Sequence, residues 1–220
     1  MKEIVLDTET TGLSVENGHR IIEIGCIELE NQILTSNRFH CYLNPQRKVS
    51  EQALKIHGYN DEFLSKQKKF NEIGDEFIKF IKDKRLIIHN AEFDLAHLNN
   101  ELKLFGKKPI ENEIVDTLVL ARDKFPGSQA SLDALCKRFR IDNSKRVNHT
   151  ALLDCDLLAK VYINLIDQKE PKLDFHNNDN ENKFKNNFDL SYYKKIVKPS
   201  SDELKKHNEY LKNNLKKNYF

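Results

Sequence analysis

The sequence predicts a mixed α/β fold in which antiparallel strands come first and parallel strands follow. Two observations carry this. Three strand-like apolar runs occur consecutively, joined by links short enough for neighbouring antiparallel pairing. After them helical and strand patterns alternate, which places later strands parallel beneath crossover helices. A fully parallel doubly wound sheet fits poorly with three consecutive strands.

The first three strands are read at 3–6 (EIVL), 20–29 (RIIEIGCIEL) and 33–43 (ILTSNRFHCYL). Residues 50–57 (SEQALKIH) predict a brief helix closed by Gly58. Phe70, Ile73, Phe77, Ile78 and Ile81 form an apolar stripe at helical spacing over 70–82. RLIIH at 85–89 is a short buried strand, followed by a helix over about 92–105 that stops at Gly106. EIVDTLVLARDKF gives a fifth strand running into a helix, Ser131 starts another, and a longer one covers about 150–166.

Composition changes after Gln168. Residues 169–187 are dominated by Asn, Lys and acids, with too little apolar content for a core, and read as a flexible linker between a domain at 1–168 and a segment at 188–220. Within that segment Ser200 and Glu203 have capping-box spacing, and Leu204, His207, Leu211 and Leu215 form one narrow stripe. A lone helix of this length is marginal in water, so it should dock on its own domain or on a partner.

A net charge of +2 excludes a strong overall basic field, so any nucleic-acid binding must be local. The four cysteines have no CxxC or metal-ligand spacing, which fits reduced thiols in a cytoplasmic protein. No apolar run approaches the ~20 residues that cross a membrane. The start, MKEIVLDTE, meets a charge after three apolar residues, unlike a secretory signal.

The chemistry resides in four acids and one histidine. Asp7 and Glu9, two apart at a strand end, leave the same face and repel unless a cation separates them. Asp94 falls in the first turn of a helix that follows a buried strand. On one continuous helix, His149 and Asp154 would point roughly 140° apart at ~100° per residue. They share a site only if His149 precedes the helix, with Thr150 as its N-cap. Hard oxygen ligands without thiolates favour Mg²⁺ or Mn²⁺ over structural zinc. Two such ions about 3.5–4 Å apart hold the attacking and leaving oxygens of an in-line displacement.

The order D-x-E, H-N-x-x-F-D, H-x-A-x-x-D resembles the DEDD exonuclease superfamily in its histidine subtype. VLDTETTG, RIIEIG, IHGYNDEFL, FPGSQASLDALCKRF, IDNSKR and HTALLDCDLLAKVY further resemble the proofreading (epsilon) subunits of bacterial DNA polymerase III, over about 1–168, and DELKKHNEYL resembles their C-terminal segment. The resemblance implies a ribonuclease H-like fold and hydrolysis of the 3′-terminal phosphodiester of DNA, releasing nucleoside 5′-monophosphates. By motif, Asp7 would bridge two divalent metals, Glu9 and Asp154 would complete the tighter site, and Asp94 would serve the substrate-borne ion. His149 would be the general base. Gln52 and His57 fall at nucleotide contacts, beside Asp7, Glu9 and Asp154, although Gln52 stands where the family carries an acid.

The resemblance also implies partners. Residues 188–220 would bind the polymerase (alpha) subunit, and the linker would let the nuclease reach a displaced primer end. The hexapeptide Asn187–Tyr192 resembles a sliding-clamp motif with its glutamine replaced. A small third subunit (theta) contacts the nuclease domain in some relatives. Two other readings remain: a stand-alone RNase T or oligoribonuclease-like exonuclease, and a non-catalytic scaffold for the polymerase subunit.

Overall fold

The computed structural model describes residues 2–146, 148–166 and 199–214, which fall into two compact units. The first unit is built on a five-stranded sheet in the order β3-β2-β1-β4-β5. Strands β1 (Lys2–Thr10), β2 (Ile21–Glu30) and β3 (Ile33–Tyr42) are antiparallel, while β4 (Arg85–Ile88) and β5 (Ile114–Asp116) run parallel to β1. This is the mixed sheet that the order of apolar runs predicts.

Strand β1 is central and buried on both faces, with Ile4, Val5 and Leu6 fully inaccessible. It continues four residues beyond the apolar run because β2 supplies partners there, Asp7 opposite Gly25 and Glu9 opposite Glu23. The carboxylates are therefore held inside the sheet rather than on a loose turn. A register shift between Glu9 and Thr10 then ends the regular ladder.

Alternation along β1 sends its side chains into two separate cores. Ile4 and Leu6 pack with Phe39, Phe77, Ile88 and Leu98, under helices α3 (Phe70–Ile81) and α4 (Ala91–Leu104). Val5 packs on the other face with Leu135, Cys155, Leu158 and Tyr162, from α6 (Leu132–Phe139) and α7 (Ala151–Leu165). Each such side chain contributes about 1.5–3 kcal/mol through burial, so both helix layers are held firmly against the strand that carries the acids.

One glycine sets how closely α7 approaches. A Cβ on Gly25 would lie 2.6 Å from the carbonyl carbon of Ala151 and 2.7 Å from the Leu152 nitrogen. Those atoms are backbone and cannot step aside, so only glycine lets the first turn of α7 rest on β2. The Cys155 thiol donates to the Gly25 carbonyl at 3.2 Å across the same contact.

The remaining helices are α1 (Glu51–His57), α2 (Asp61–Ser65) and α5 (Thr117–Lys124). The short α2 has no counterpart in the apolar pattern; its start is marked by Asn60, whose side chain caps the Phe63 N–H at 2.8 Å. Helix α1 ends as expected at Gly58, in the left-handed region at φ 79°. Cys26, Cys136 and Cys155 are buried and Cys41 partly so, all as free thiols.

The second unit contains α8 (Ser201–Asn214). Its capping box forms as the spacing predicts: the Ser200 N–H donates to Glu203 Oε2 at 2.7 Å and the Glu203 N–H to Ser200 Oγ at 3.3 Å. Leu204 and Tyr210 are exposed on this helix. The expected linker and the clamp-like hexapeptide lie outside the described residues. Among the described residues no helix is long and apolar enough to cross a membrane.

Candidate metal and catalytic centre

The carboxyl ends of the parallel strands β1, β4 and β5 open on one edge of the sheet, where open α/β sheets bind ligands. All five residues singled out from the sequence gather there. Asp7 and Glu9 leave β1, Asp94 comes from the first turn of α4, and Asp154 from the first turn of α7. His149 precedes α7, whose N-cap is Thr150 in extended conformation, as the angular argument requires. The Thr150 side chain makes no capping bond; the Asp154 N–H closes the turn on its carbonyl at 3.0 Å. The loop is pinned from the other side, where the His149 N–H donates to the Ile56 carbonyl at the end of α1, at 3.1 Å.

Glu9, His149 and Asp154 each offer one ligand atom, and the three atoms lie within 4.8 Å of one another. Glu9 and Asp154 are buried, while the His149 side chain keeps 43 % of its exposure. Asp94 is buried and oriented by Thr8, whose N–H and hydroxyl both donate to Oδ1, at 3.0 and 2.7 Å. The turn leading to Asp94 places Asn90 in the left-handed region at φ 68°, a conformation asparagine tolerates. Asp116 holds that turn: its carboxylate accepts the N–H groups of Asn90 and Ala91 at 3.1 and 2.9 Å.

Burial at this edge raises the affinity of Asp7, Glu9 and Asp94 for protons. Burial pushes the Asp7 carboxyl well up, and the neighbouring Asp94, Glu9 and Asp154 push it further. Burial and then Asp154 raise Glu9 to about 8. Burial raises Asp94 to about 7, although the two Thr8 hydrogen bonds pull the other way. Burial, then the Arg146 guanidinium, lower His149, partly opposed by Asp154, so the imidazole is neutral at neutral pH. Such a cluster fits a divalent cation, because a positive charge relieves both the desolvation and the repulsion.

A pH dependence follows. Glu9 and Asp94 hold protons more tightly folded than unfolded, so their contribution to stability is present at low pH and lost as pH rises through about 7–8. With EDTA, the melting temperature should fall progressively from about pH 4, where the unfolded carboxyls ionise, to about pH 8, and level off above that. With Mn²⁺ the decline should shrink, since the ion binds the ionised carboxylates in competition with protons. Calorimetry in the two buffers checks this, and a midpoint independent of pH in EDTA would contradict it.

Beside the acids a cleft of about 380 Å³ is lined by Thr8, Glu9, Gly12, Leu13, Gln52, His57 and Phe93, among others. Both sequence-predicted contact residues of α1 therefore face the cavity, Gln52 from its exposed side and His57 from its buried side. His57 Nδ1 accepts the Tyr59 N–H at 3.0 Å, so the neutral ring carries its proton on Nε2. Leu13, 76 % exposed, offers apolar surface at the rim.

Three further residues shape the centre without having been singled out from the sequence. Asp116 gave a signal, an acid at a strand end before a helix. Glu23 is fully buried opposite Glu9, with His40 Nε2 2.7 Å away. Arg146 grips Asp154 with two N–H groups, at 2.6 and 2.8 Å; the sequence marked it only as the last residue of the family-like stretch IDNSKR, with no role attached.

Comparison with known proteins shows the family and the fold. The family model RNase_T, an exonuclease, matches residues 4–162. The DNA polymerase III subunit epsilon of Rickettsia typhi (strain Wilmington) is 47 % identical over 219 residues, covering 96 % of both chains. That of Escherichia coli K12 is 48 % identical over 170 residues, 74 % of this chain and 70 % of the relative. Among solved structures, exonuclease X in complex with 5′-overhanging duplex DNA superposes with a TM-score of 0.60 at 25 % identity, over 76 % of this chain and 92 % of the other. The nuclease domain of 3′hExo, a DEDDh family member bound to rAMP, has a TM-score of 0.66 at 19 % identity over the same shares, a likeness of fold.

Proposed function

The chain belongs to the DNA polymerase III epsilon family of 3′–5′ proofreading exonucleases, and from that premise we propose which of its residues perform the hydrolysis. Asp7, Glu9, Asp94 and Asp154 hold two divalent ions, Mg²⁺ or Mn²⁺, and His149 is the general base. The observation that carries this reading is the convergence of Glu9, His149 and Asp154 on one point at the end of β1. Carboxylate oxygen donors suit these hard ions, and the nearby Cys155 sulfur is turned to the Gly25 carbonyl.

When bound, two such ions polarise the phosphoryl group and stabilise the attacking and leaving oxygens. The chain does the rest. The sheet fixes Asp7 and Glu9, and Thr8 fixes Asp94, so the carboxylates need little reorganisation. His149, neutral and partly exposed on its loop, takes the proton of the attacking water. In the cleft, His57 Nε2–H and Gln52 bind the terminal nucleotide, and Leu13 and Phe93 give its base an apolar surface.

Selectivity for errors needs no reading of the mispaired base. A mispaired end frays at lower cost, and the cleft accepts a strand only when it is frayed. With a net charge of +2, the protein takes much of its DNA affinity from the polymerase assembly. Residues 1–168 form the nuclease, 169–187 a linker and 188–220 the segment that docks on the alpha subunit, with exposed Leu204 and Tyr210 of α8 among its contacts.

The test is a 5′-labelled primer–template, matched or mispaired at the 3′ end, incubated with Mg²⁺ or EDTA. The expected result is metal-dependent shortening from the 3′ end, faster on the mispair. An inert protein that still binds the alpha subunit would replace this reading by a scaffold.

A further inference from the structure

Arg146 sits among the proposed metal ligands, with its side chain only 8 % exposed. Its guanidinium satisfies both oxygens of Asp154, Nε to Oδ1 at 2.6 Å and Nη2 to Oδ2 at 2.8 Å. Nη1 donates to Asp133 Oδ2 on α6 at 2.7 Å, and Nη2 lies 3.0 Å from His149 Nδ1. One cation thus holds a proposed metal ligand and the proposed base together. Arginine can only donate, so His149 Nδ1 must be the acceptor in that contact. A neutral ring so engaged carries its proton on Nε2 and has no lone pair left for a water proton.

Two cations cannot share Asp154 cheaply. A divalent ion on this buried carboxylate would lie a few ångströms from the guanidinium, with little solvent to screen them. We propose that Arg146 is a latch: its guanidinium competes with divalent metal for Asp154, and metal binding displaces it and thereby frees Nδ1 of His149. The device couples arming of the base to metal occupancy, so Arg146 is a positioning residue that acts through Asp154 and His149. Asp133, 57 % exposed on α6, is the outer anchor that retains the arginine.

The inference rests on the metal-site reading, and a DNA-free Mn²⁺ titration separates the two. Wild-type protein, Arg146→Gln and Asp133→Asn are titrated with Mn²⁺ and followed by electron paramagnetic resonance, and the Arg146 Nε–H resonance of the wild type is followed during Mg²⁺ addition. Arg146→Gln should bind Mn²⁺ about tenfold tighter, and Asp133→Asn should shift affinity the same way by less. The Nε–H resonance should lose its ion-paired position as Mg²⁺ saturates. If Arg146→Gln fails to fold, Arg146→Lys, which keeps charge but lacks the two-pronged grip, should still bind Mn²⁺ more tightly than wild type. A wild type that binds no Mn²⁺ would sink the metal site itself. Normal wild-type binding with unchanged or weakened affinity in Arg146→Gln, or an Nε–H signal unmoved by Mg²⁺, would overturn the latch and leave Arg146 a fixed strut between α6 and α7.

Discussion

Asp7→Asn should lower 3′-end hydrolysis at least about 10³-fold, since each 1.36 kcal/mol of lost transition-state stabilisation is tenfold and metal ions supply several kcal/mol. The substitution keeps the shape of the side chain and removes its charge, from a position paired to Gly25 in the middle of the sheet. Mn²⁺ binding should weaken in parallel, because a neutral amide is a poor ligand for a hard cation. Stability should move the other way. Burial and four neighbouring carboxyls disfavour the ionised form of Asp7 in the folded chain, so the amide relieves strain the native residue carries. In EDTA the variant should therefore melt at or above the wild-type temperature, a trade of stability for function. Steady-state kinetics, Mn²⁺ titration and a melting curve decide it. Reduced activity with a lower melting temperature and intact metal binding would point to damage elsewhere.

His149→Ala should reduce turnover by about 10²–10⁴-fold, the usual contribution of a positioned general base. Mn²⁺ binding should stay nearly intact, because the carboxylates remain in place. The ring is partly exposed and its loop is held by the main-chain bond to Ile56, which alanine preserves. The acid limb of the pH–rate profile, set in the wild type by protonation of His149, should vanish in the variant. Equal loss of metal in His149→Ala and Asp7→Asn would contradict the division of roles and make the imidazole a ligand.

Much of this centre is legible in the sequence because the acids sit at element ends. Asp94 follows a short buried strand, and the five-residue gap from His149 to Asp154 forces a helix boundary between them, which the structure places at Thr150. The antiparallel-then-parallel sheet follows from three consecutive strand patterns, and α3 from its apolar stripe. Pairing and packing across the fold are hidden from a local reading. Strand β1 looks finished at Leu6 because its polar continuation is stabilised by β2, a partner distant in sequence. Gly25 looks like any strand glycine until α7 is laid on it. Glu23 and Arg146 stand within the family-like stretches RIIEIG and IDNSKR, yet what they do depends on carboxylates brought close by folding.

The most direct test of the central claim, that these side chains gather two metal ions at the 3′ end, is a crystal soaked with Mn²⁺ and thymidine 5′-monophosphate. Anomalous scattering at the manganese edge should show two peaks, one among Asp7, Glu9 and Asp154 and one beside Asp7 and Asp94, with the phosphate between them and His149. A nucleotide bound in the cleft with no manganese at these carboxylates, or manganese held elsewhere, would contradict it.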